Sequence, residues 1–397
     1  MPTNLPAEAR AKWVKYMEAR TPEEKLRALQ DFLSSVPKHK GTENLVAWVR
    51  RKMAELREEI EEKKARRSGG GPSFFIEKEG AAQIVMLGMT QSGKSSLLRA
   101  LTNSKPQVTG IPFTTKRPVP GMMVYEDIQF QLVEAPAVVE GMSKGAIWWG
   151  SRVLGLARNA DALMIIIDLT NDPTSQLLII KQELESAGIH LKRPRGRVVI
   201  VKTKAVHGIK VVNYGKLINC TADDVRKLLE YYRVYNALVK IYGEVTLENV
   251  EKAIFENVTY KPSLIILNKS DLVPGDFIKK VIDEVRKLLP DVAVTVASAV
   301  KRLGLSNIPK YVFDMVDIIR VYTKEPNTPK PSPKPLILRK GATVEEAIKK
   351  IREDFLRYFK YARIWGPSAK YPGERVGLEH VLMDGDVLEI RTLIKGI

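Results

Sequence analysis

The segment Gly88-Met89-Thr90-Gln91-Ser92-Gly93-Lys94-Ser95 sets two glycines, a lysine and a hydroxyl at the spacing G-x-x-x-x-G-K-S, after an apolar run ending at Leu87 and before a helical pattern. Those residue types at that spacing cradle a chain of phosphates. Backbone N–H groups close around phosphate oxygens where glycine lets the chain turn, Lys94 brings a cation to the outer phosphates, and Ser95 offers a hydroxyl to Mg²⁺. Gly88, Gln91, Ser92, Gly93, Lys94, Ser95 and Ser96 are the phosphate-binding candidates.

A phosphate cradle does not choose a base; Asn268-Lys269-Ser270-Asp271 can. It follows the apolar run Leu264 to Leu267, and so falls at a strand's carboxyl end, where nucleotide sites of α/β sheets lie. The Asp271 carboxylate can accept hydrogen bonds from guanine N1–H and the exocyclic amine. Adenine has no donors in that arrangement and would leave the carboxylate desolvated and unpaired, at a cost of about 1–3 kcal/mol. After the next strand pattern, Ser298-Ala299-Val300 can turn backbone N–H groups toward the guanine carbonyl oxygen. The implied ligands are GTP and GDP with Mg²⁺; an ATP-dependent enzyme on the same loop is the disfavoured alternative.

Two further segments can sense the third phosphate: Phe113-Thr114-Thr115-Lys116, and Glu134-Ala135-Pro136-Ala137 at the end of a strand pattern. Thr115, with Thr114 as the alternative, would add a hydroxyl to Mg²⁺; a polar loop is the other reading of this pair. Glu134 would hold a metal-bound water and Ala137 an N–H for the third phosphate. The expected metal set is Ser95, Thr115 and Glu134, and the expected catalytic set Lys94, Thr115 and Glu134.

The elements that must position these residues are legible in the apolar rhythm. Short runs at Ile84 to Leu87, Ile128 to Val133, Leu163 to Ile167, Leu264 to Leu267 and Val292 to Val296 alternate with helical patterns, which predicts a mostly parallel α/β sheet. The spacing breaks near Leu191 to Tyr260, where strand-like Arg197 to Lys204 and Ile209 to Tyr214 precede a helix starting near Thr221, so an α+β insert is expected. Upstream, Thr21-Pro22-Glu23-Glu24 is a capping box, and Leu45, Val49, Met53, Leu56 and Ile60 form a stripe from a second helix beginning near Thr42. That stripe needs a partner, either the chain's own G domain or another molecule. A basic, glycine-rich hinge ends at Pro72. Prolines crowd Pro326 to Pro335 as an extended connection or long loop, and Thr343-Val344-Glu345-Glu346 starts a helix in a compact C-terminal module ending on Val387 to Leu393. The expected divisions are residues 1–72 for the helical arm and hinge, 73–318 for the G domain, 191–260 for the insert within it, and 319–397 for the terminal domain.

The 397 residues carry 64 Lys+Arg against 46 Asp+Glu, a net charge of +18 that attracts polyanions, RNA first among them; a charge-rich, heat-adapted surface is the alternative. Leu191 to Lys216 holds Lys192, Arg193, Arg195, Arg197, Lys202, Lys204, Lys210 and Lys216 without one acidic residue, a face for RNA or a solvated strand surface. Tyr358, Tyr361, Trp365 and Tyr371 stand among basic residues, which suits either stacking on bases or core packing. A single cysteine, Cys220, excludes an internal disulfide framework, and His39, His190, His207 and His380 have no metal-like spacing. No apolar stretch approaches membrane length. The chain is expected to work in the cytoplasm as a monomer, away from membranes, with no DNA specificity and with a protein cofactor left open.

At this point the sequence resembles a family. Phe113-Thr114-Thr115, Val139-Glu140-Gly141, Leu184 to Ile189, Arg320-Val321-Tyr322-Thr323-Lys324, Pro335 to Val344 and Trp365 to Tyr371 are similar to segments of the developmentally regulated GTP-binding proteins, members of the Obg-related translation-factor GTPases. The resemblance runs from about Lys38 to the end. It implies an N-terminal helical region, an Obg-type P-loop G domain interrupted by a small α+β insert, a β-grasp-like TGS domain at the C-terminus, and association with ribosomes or RNA. The chain departs from the family at Glu134-Ala135-Pro136-Ala137, where Asp-x-x-Gly is usual; glutamate is one methylene longer and alanine turns less freely than glycine. Val138 lies where many GTPases carry a water-orienting glutamine, and its side chain cannot position water. Gln91 replaces the asparagine of potassium-stimulated relatives, so no firm potassium dependence is expected. The reading is a slow Mg²⁺-dependent GTPase acting in translation, with a nucleotide-binding adaptor of little or no turnover as the alternative.

Overall fold

The computed structural model describes residues 6–19, 21–37, parts of 45–60, 74, 76–102, 117–147, 149–192, 196–202, 208–232, 234–255, 259–326, 328 and 330–393. A six-stranded sheet organises the nucleotide-binding part: β1 (Gln83–Leu87), β2 (Val119–Tyr125), β3 (Ile128–Glu134), β4 (Ala162–Asp168), β11 (Ser263–Asn268) and β12 (Ala293–Val296), in the order β12-β11-β4-β1-β3-β2. Only β2 is antiparallel to its neighbour in this sheet. β1, β4 and β11 are buried along their whole length, which is why they read as unbroken apolar runs rather than alternations. Helices α3 (Lys94–Leu101) and α9 (Ile308–Val316) cover one face, and α4 (Gly150–Asn159), α5 (Pro173–Ser186) and α8 (Gly275–Leu288) the other. The chain departs to opposite sides of β1, so the crevice at the carboxyl end of β1 is the ligand site of this topology.

The insert leaves and returns through a two-stranded parallel clasp, β5 (Ile189–His190) with β10 (Thr259–Tyr260). Between them, β6 (Gly196–Lys202), β9 (Ala237–Val245) and β7 (Ile209–Asn213) form a sheet with β9 in the middle, and short β8 (Lys216–Leu217) extends β9. Helices α6 (Ala222–Tyr231) and α7 (Leu247–Phe255) lie on one of its faces. Thr221 caps α6 through a reciprocal bond with Asp224.

The N-terminal arm contributes α1 (Ala7–Glu18) and α2 (Pro22–Ser35), the latter opened by the Thr21–Glu24 capping box. The stripe Leu45, Val49, Met53 and Leu56 is buried with Leu29 and Phe32 against Val225, Leu229, Val239 and Ile241 of the insert. Its partner is therefore within the chain and is specifically the insert, whose sheet offers the matching apolar face.

The terminal sheet has the order β14-β13-β17-β15-β16, from β13 (Ile318–Thr323), β14 (Leu336–Arg339), β15 (Phe359–Trp365), β16 (Glu374–Val376) and β17 (Asp386–Thr392), with α10 (Val344–Ile351) packed on it. The described prolines of Pro326 to Pro335 lie in the loop between β13 and β14, two antiparallel neighbours, so this stretch is a long loop inside one sheet and not a connection between units. Lys324 lies over Trp365 at 4.5 Å and Arg375 over Tyr361 at 4.7 Å, giving those rings partners within the domain. His380 hydrogen-bonds Ser368 at 2.9 Å, and Ser368 donates to buried Asp386 at 2.7 Å, a structural knot at a domain corner.

Arg320 of β13 joins this domain to the β2–β3 hairpin. Its guanidinium binds Asp384 through two nitrogens, at 3.1 and 2.8 Å, and reaches Glu126 and Asp127 in the hairpin turn. Tyr322 donates to Asp127 at 2.5 Å, and that bond pushes its phenol up to about 12.

Candidate functional site

The cradle is assembled where β1 hands over to α3. Gly88 and Gly93 are dictated by space: a Cβ on Gly88 would lie 2.6 Å from the Ile166 carbonyl oxygen, and one on Gly93 2.2 Å from Asn268 Nδ2. Gly93 also sits at φ +88°, a left-handed position that glycine adopts without strain, and Gln91 is left-handed at φ +60°. Gly93 directly precedes the N-terminus of α3, so Lys94, Ser95 and Ser96 occupy the turn where free N–H groups and the helix dipole favour an anion.

Lys94 is buried, its ammonium donating to the Gly88 and Met89 carbonyls at 2.9 and 2.7 Å. Burial brings its pKa down to about 8, against which the Glu134 carboxylate acts. Ser95 Oγ donates to Glu134 Oε1 at 2.5 Å. A hydroxyl and a carboxylate in contact at the end of the cradle are hard oxygen donors of the kind Mg²⁺ takes, so Ser95 and Glu134 fit the expected metal.

Beyond Glu134 the chain stays fastened to the cradle. Ala135 donates to Met86 and Val138 to Gly88, at 3.2 and 3.0 Å. The Val138 side chain is buried in the core beneath, so it neither reaches the phosphates nor orients water. Ala137 is buried beside it. Thr114 and Thr115 lie outside the described residues.

Asn268, buried at the end of β11, binds both flanking loops: its amide donates to the Ser92 carbonyl at 2.9 Å, and its oxygen accepts from the Ala299 N–H at 3.3 Å. Ser270 N–H bonds the Ala297 carbonyl at 3.2 Å. Lys269, left-handed at φ +63°, pairs with Asp168 at 2.5 Å. Asp271 stands exposed in a single 3₁₀ turn, its carboxylate open to a base. In the other loop the expectation needs one correction. The Ser298 N–H is spent on the Leu303 carbonyl at 3.0 Å, because the two residues form a bridge, and the Ala299 N–H is held by Asn268, so Val300 carries the N–H left for a base.

Two contributors were not foreseen. Asp168, which also accepts from the Thr170 N–H and hydroxyl, anchors Lys269; its signal was a carboxylate ending an otherwise apolar run. Glu183 of α5 is buried and accepts from the Gly141 and Ser143 N–H groups at 2.6 and 2.7 Å, holding the segment after Val138. A buried glutamate on a helix carries no local signal of this, since its partners lie some forty residues away.

The family described as "50S ribosome-binding GTPase" matches residues 83–204, its C-terminal region residues 206–318, and the TGS domain residues 319–392. The chain is 35% identical over 369 residues to an uncharacterised GTP-binding protein of Methanocaldococcus jannaschii, covering 93% of this chain and 92% of that protein. It is 31% identical to one from Halobacterium salinarum, covering 93% and 98%, and 29% identical to human developmentally-regulated GTP-binding protein 2, covering 92% and 98%. With a guanine-nucleotide cradle built as described and these likenesses spanning nearly its whole length, the chain belongs to the family of P-loop GTP-binding proteins with a C-terminal TGS domain that includes the developmentally regulated GTP-binding proteins.

Proposed function

We propose that this protein is a slow Mg²⁺-dependent GTPase of the cytoplasm that associates with ribosomes or RNA and acts in translation as a monomer. The observation that carries the nucleotide half is Asn268, which locks the phosphate loop and both base-reading loops into one unit, with Asp271 open beside them. Ser95, Glu134 and Thr115 would hold Mg²⁺, which supplies positive charge to the triphosphate when bound. Lys94 stabilises the charge that develops on the third phosphoryl group, and helix α3 presents its N–H groups to the phosphates. Water attacks in line with the leaving oxygen.

Hydrolysis by the protein alone is slow because the position after Ala137 is a buried valine. That same residue favours a second reading, an adaptor that binds GTP and GDP with little turnover. Single-turnover hydrolysis with and without ribosomes separates the two: acceleration by ribosomes is the result expected of the GTPase, and a flat trace in both arms supports the adaptor. Ribosome or RNA association is supported by the charge of +18 and by the description of the matching family. Co-sedimentation with ribosomes in GTP, GDP and no nucleotide tests it, with binding strongest in GTP expected. For the base, titration with GDP and ADP should give GDP at least about tenfold tighter; equal affinities would overturn the guanine assignment.

A further inference from the structure

Among the described residues, the insert's sheet is covered on one face only. Val198, Ile200, Val211, Val239 and Ile241 point into the core shared with α6, α7 and the N-terminal arm. The alternate residues must point the other way. Register puts Arg197 opposite Tyr242, Val199 and Val212 beside Lys240, and Lys210 beside Leu238 on that second face. It is open: Val201 is 44% exposed, Tyr242 39% and Tyr214 64%.

Two features of the open face point to one ligand. The Tyr214 and Tyr242 rings are stacked at 5.2 Å and 13° without being buried, leaving aromatic surface to solvent. Around them stand Arg197, Lys210 and Lys240; the acidic group of this face, Glu244, is in register with Lys216. Exposed rings among cations, on a sheet rather than in a groove lined with carbonyls, suit bases that stack and phosphates that need neutralising.

The face also leads somewhere. Arg197 lines a cleft of about 1430 Å³ formed where the starts of β1, β4 and β11 meet the insert and the TGS domain. Its walls carry seven lysines and arginines against three carboxylates, and buried Lys261 at its floor donates to the Ala160 carbonyl at 2.5 Å. The volume exceeds the roughly 300–1,000 Å³ of a small-molecule pocket, so a polymer fits it better than a mononucleotide. It sits at the amino ends of strands whose carboxyl ends build the nucleotide site, about 20 Å away at roughly 3.3 Å per residue.

We propose that the open face of the insert's sheet binds single-stranded RNA, with Tyr214 and Tyr242 stacking on bases, Arg197, Lys210 and Lys240 neutralising phosphates, and the strand continuing into the three-domain cleft. The proposal rests on the RNA association proposed above and gives it a site.

The test is fluorescence anisotropy of the full chain with a labelled single-stranded RNA of about 16 nucleotides, the upper site size of comparable modules, against duplex RNA and polyglutamate. Tyr214→Ala and Tyr242→Ala should each weaken single-strand binding about tenfold and leave its salt slope unchanged, while Tyr242→Phe binds as the parent does. Lys210→Gln with Lys240→Gln should lower the salt slope by about 1.4, and Lys280→Gln with Lys287→Gln on α8 should change it less. GTP affinity should stay constant in all the variants. The site is overturned if the tyrosine variants bind as tightly as the parent, if the α8 pair matters as much as the sheet pair, or if duplex RNA or polyglutamate binds better than the single strand. A parent protein that binds RNA while the tyrosine variants lose nothing removes this site and leaves the RNA reading standing. A parent that binds no RNA removes both.

Discussion

Lys94 is the residue whose environment makes a measurable pH dependence. Burial holds its ammonium at about 8, whereas a bound triphosphate favours the charged form. Below about pH 8 Lys94 is protonated with or without nucleotide; above it, binding must take up a proton. GTP affinity measured by calorimetry should therefore be level up to about pH 8 and fall by up to about tenfold per unit beyond, and Lys94→Met should bind weakly at every pH without that slope. Stability of the nucleotide-free protein runs the other way. Between about 8 and 10.5, the ordinary value, the unfolded chain holds more protons, so the cost of burying Lys94 is relieved as pH rises. Gly93 is the second residue with a sharp expectation. An alanine there would be left-handed and would place its Cβ against the Asn268 amide. Strain of about 1–2 kcal/mol together with displaced hydrogen bonds of about 1 kcal/mol each predicts GDP binding weaker by about a hundredfold.

Among the elements, α5 has a role its apolar pattern does not announce. Its buried Glu183 accepts two N–H bonds from the segment that continues from Glu134, so α5 and that segment are one unit. Glu183→Ala leaves two half-buried N–H groups without their acceptor and should lower stability by about 1–3 kcal/mol in denaturant unfolding. Glu183→Gln, which keeps one acceptor, should recover about half of that loss. A loss of less than about 0.5 kcal/mol for the alanine variant would show the bonds to be replaceable by water. Edge strand β2 is the element hardest to foresee. Pro120 and Gly121 argue against a central strand, and β2 is tolerated because it pairs on one side only.

At the scale of the molecule, the TGS domain is fastened to the hairpin that lies in the chain between the two segments expected to sense the third phosphate. Arg320 is 14% exposed and engages Asp384, Glu126 and Asp127 together. The carboxylates it would leave behind are partly solvated, at 56, 27 and 33% exposed, so Arg320→Ala should weaken the contact by about 1–2 kcal/mol. Calorimetry of that variant should show the TGS transition separating from the G-domain transition, where the parent unfolds in closer concert. If both transitions stay together, the domains are held by something other than this cluster. Because β2 and β3 run from this turn toward the nucleotide, the same variant tests whether the terminal domain senses the site: a changed ratio of GTP to GDP affinity is expected.

The sequence by itself determined the chemistry that depends on neighbours in the chain. Gly88 to Ser95 form a cradle because a strand, a turn and a helix N-terminus are local events, and Thr21–Glu24 and Thr221–Asp224 cap their helices for the same reason. Strands β1, β4 and β11 were legible because burial on both faces demands unbroken apolar runs. Tertiary structure decided everything that depends on which side of an element meets which neighbour. It committed the Leu45 to Leu56 stripe to the insert, spent the Ser298 N–H on Leu303, turned Val138 into the core and left Tyr214 and Tyr242 in solvent. A one-dimensional pattern records that a face is apolar or charged. What that face touches is set by long-range packing, and the Glu183 and Arg320 contacts, between residues far apart in the chain, have no shorter-range trace.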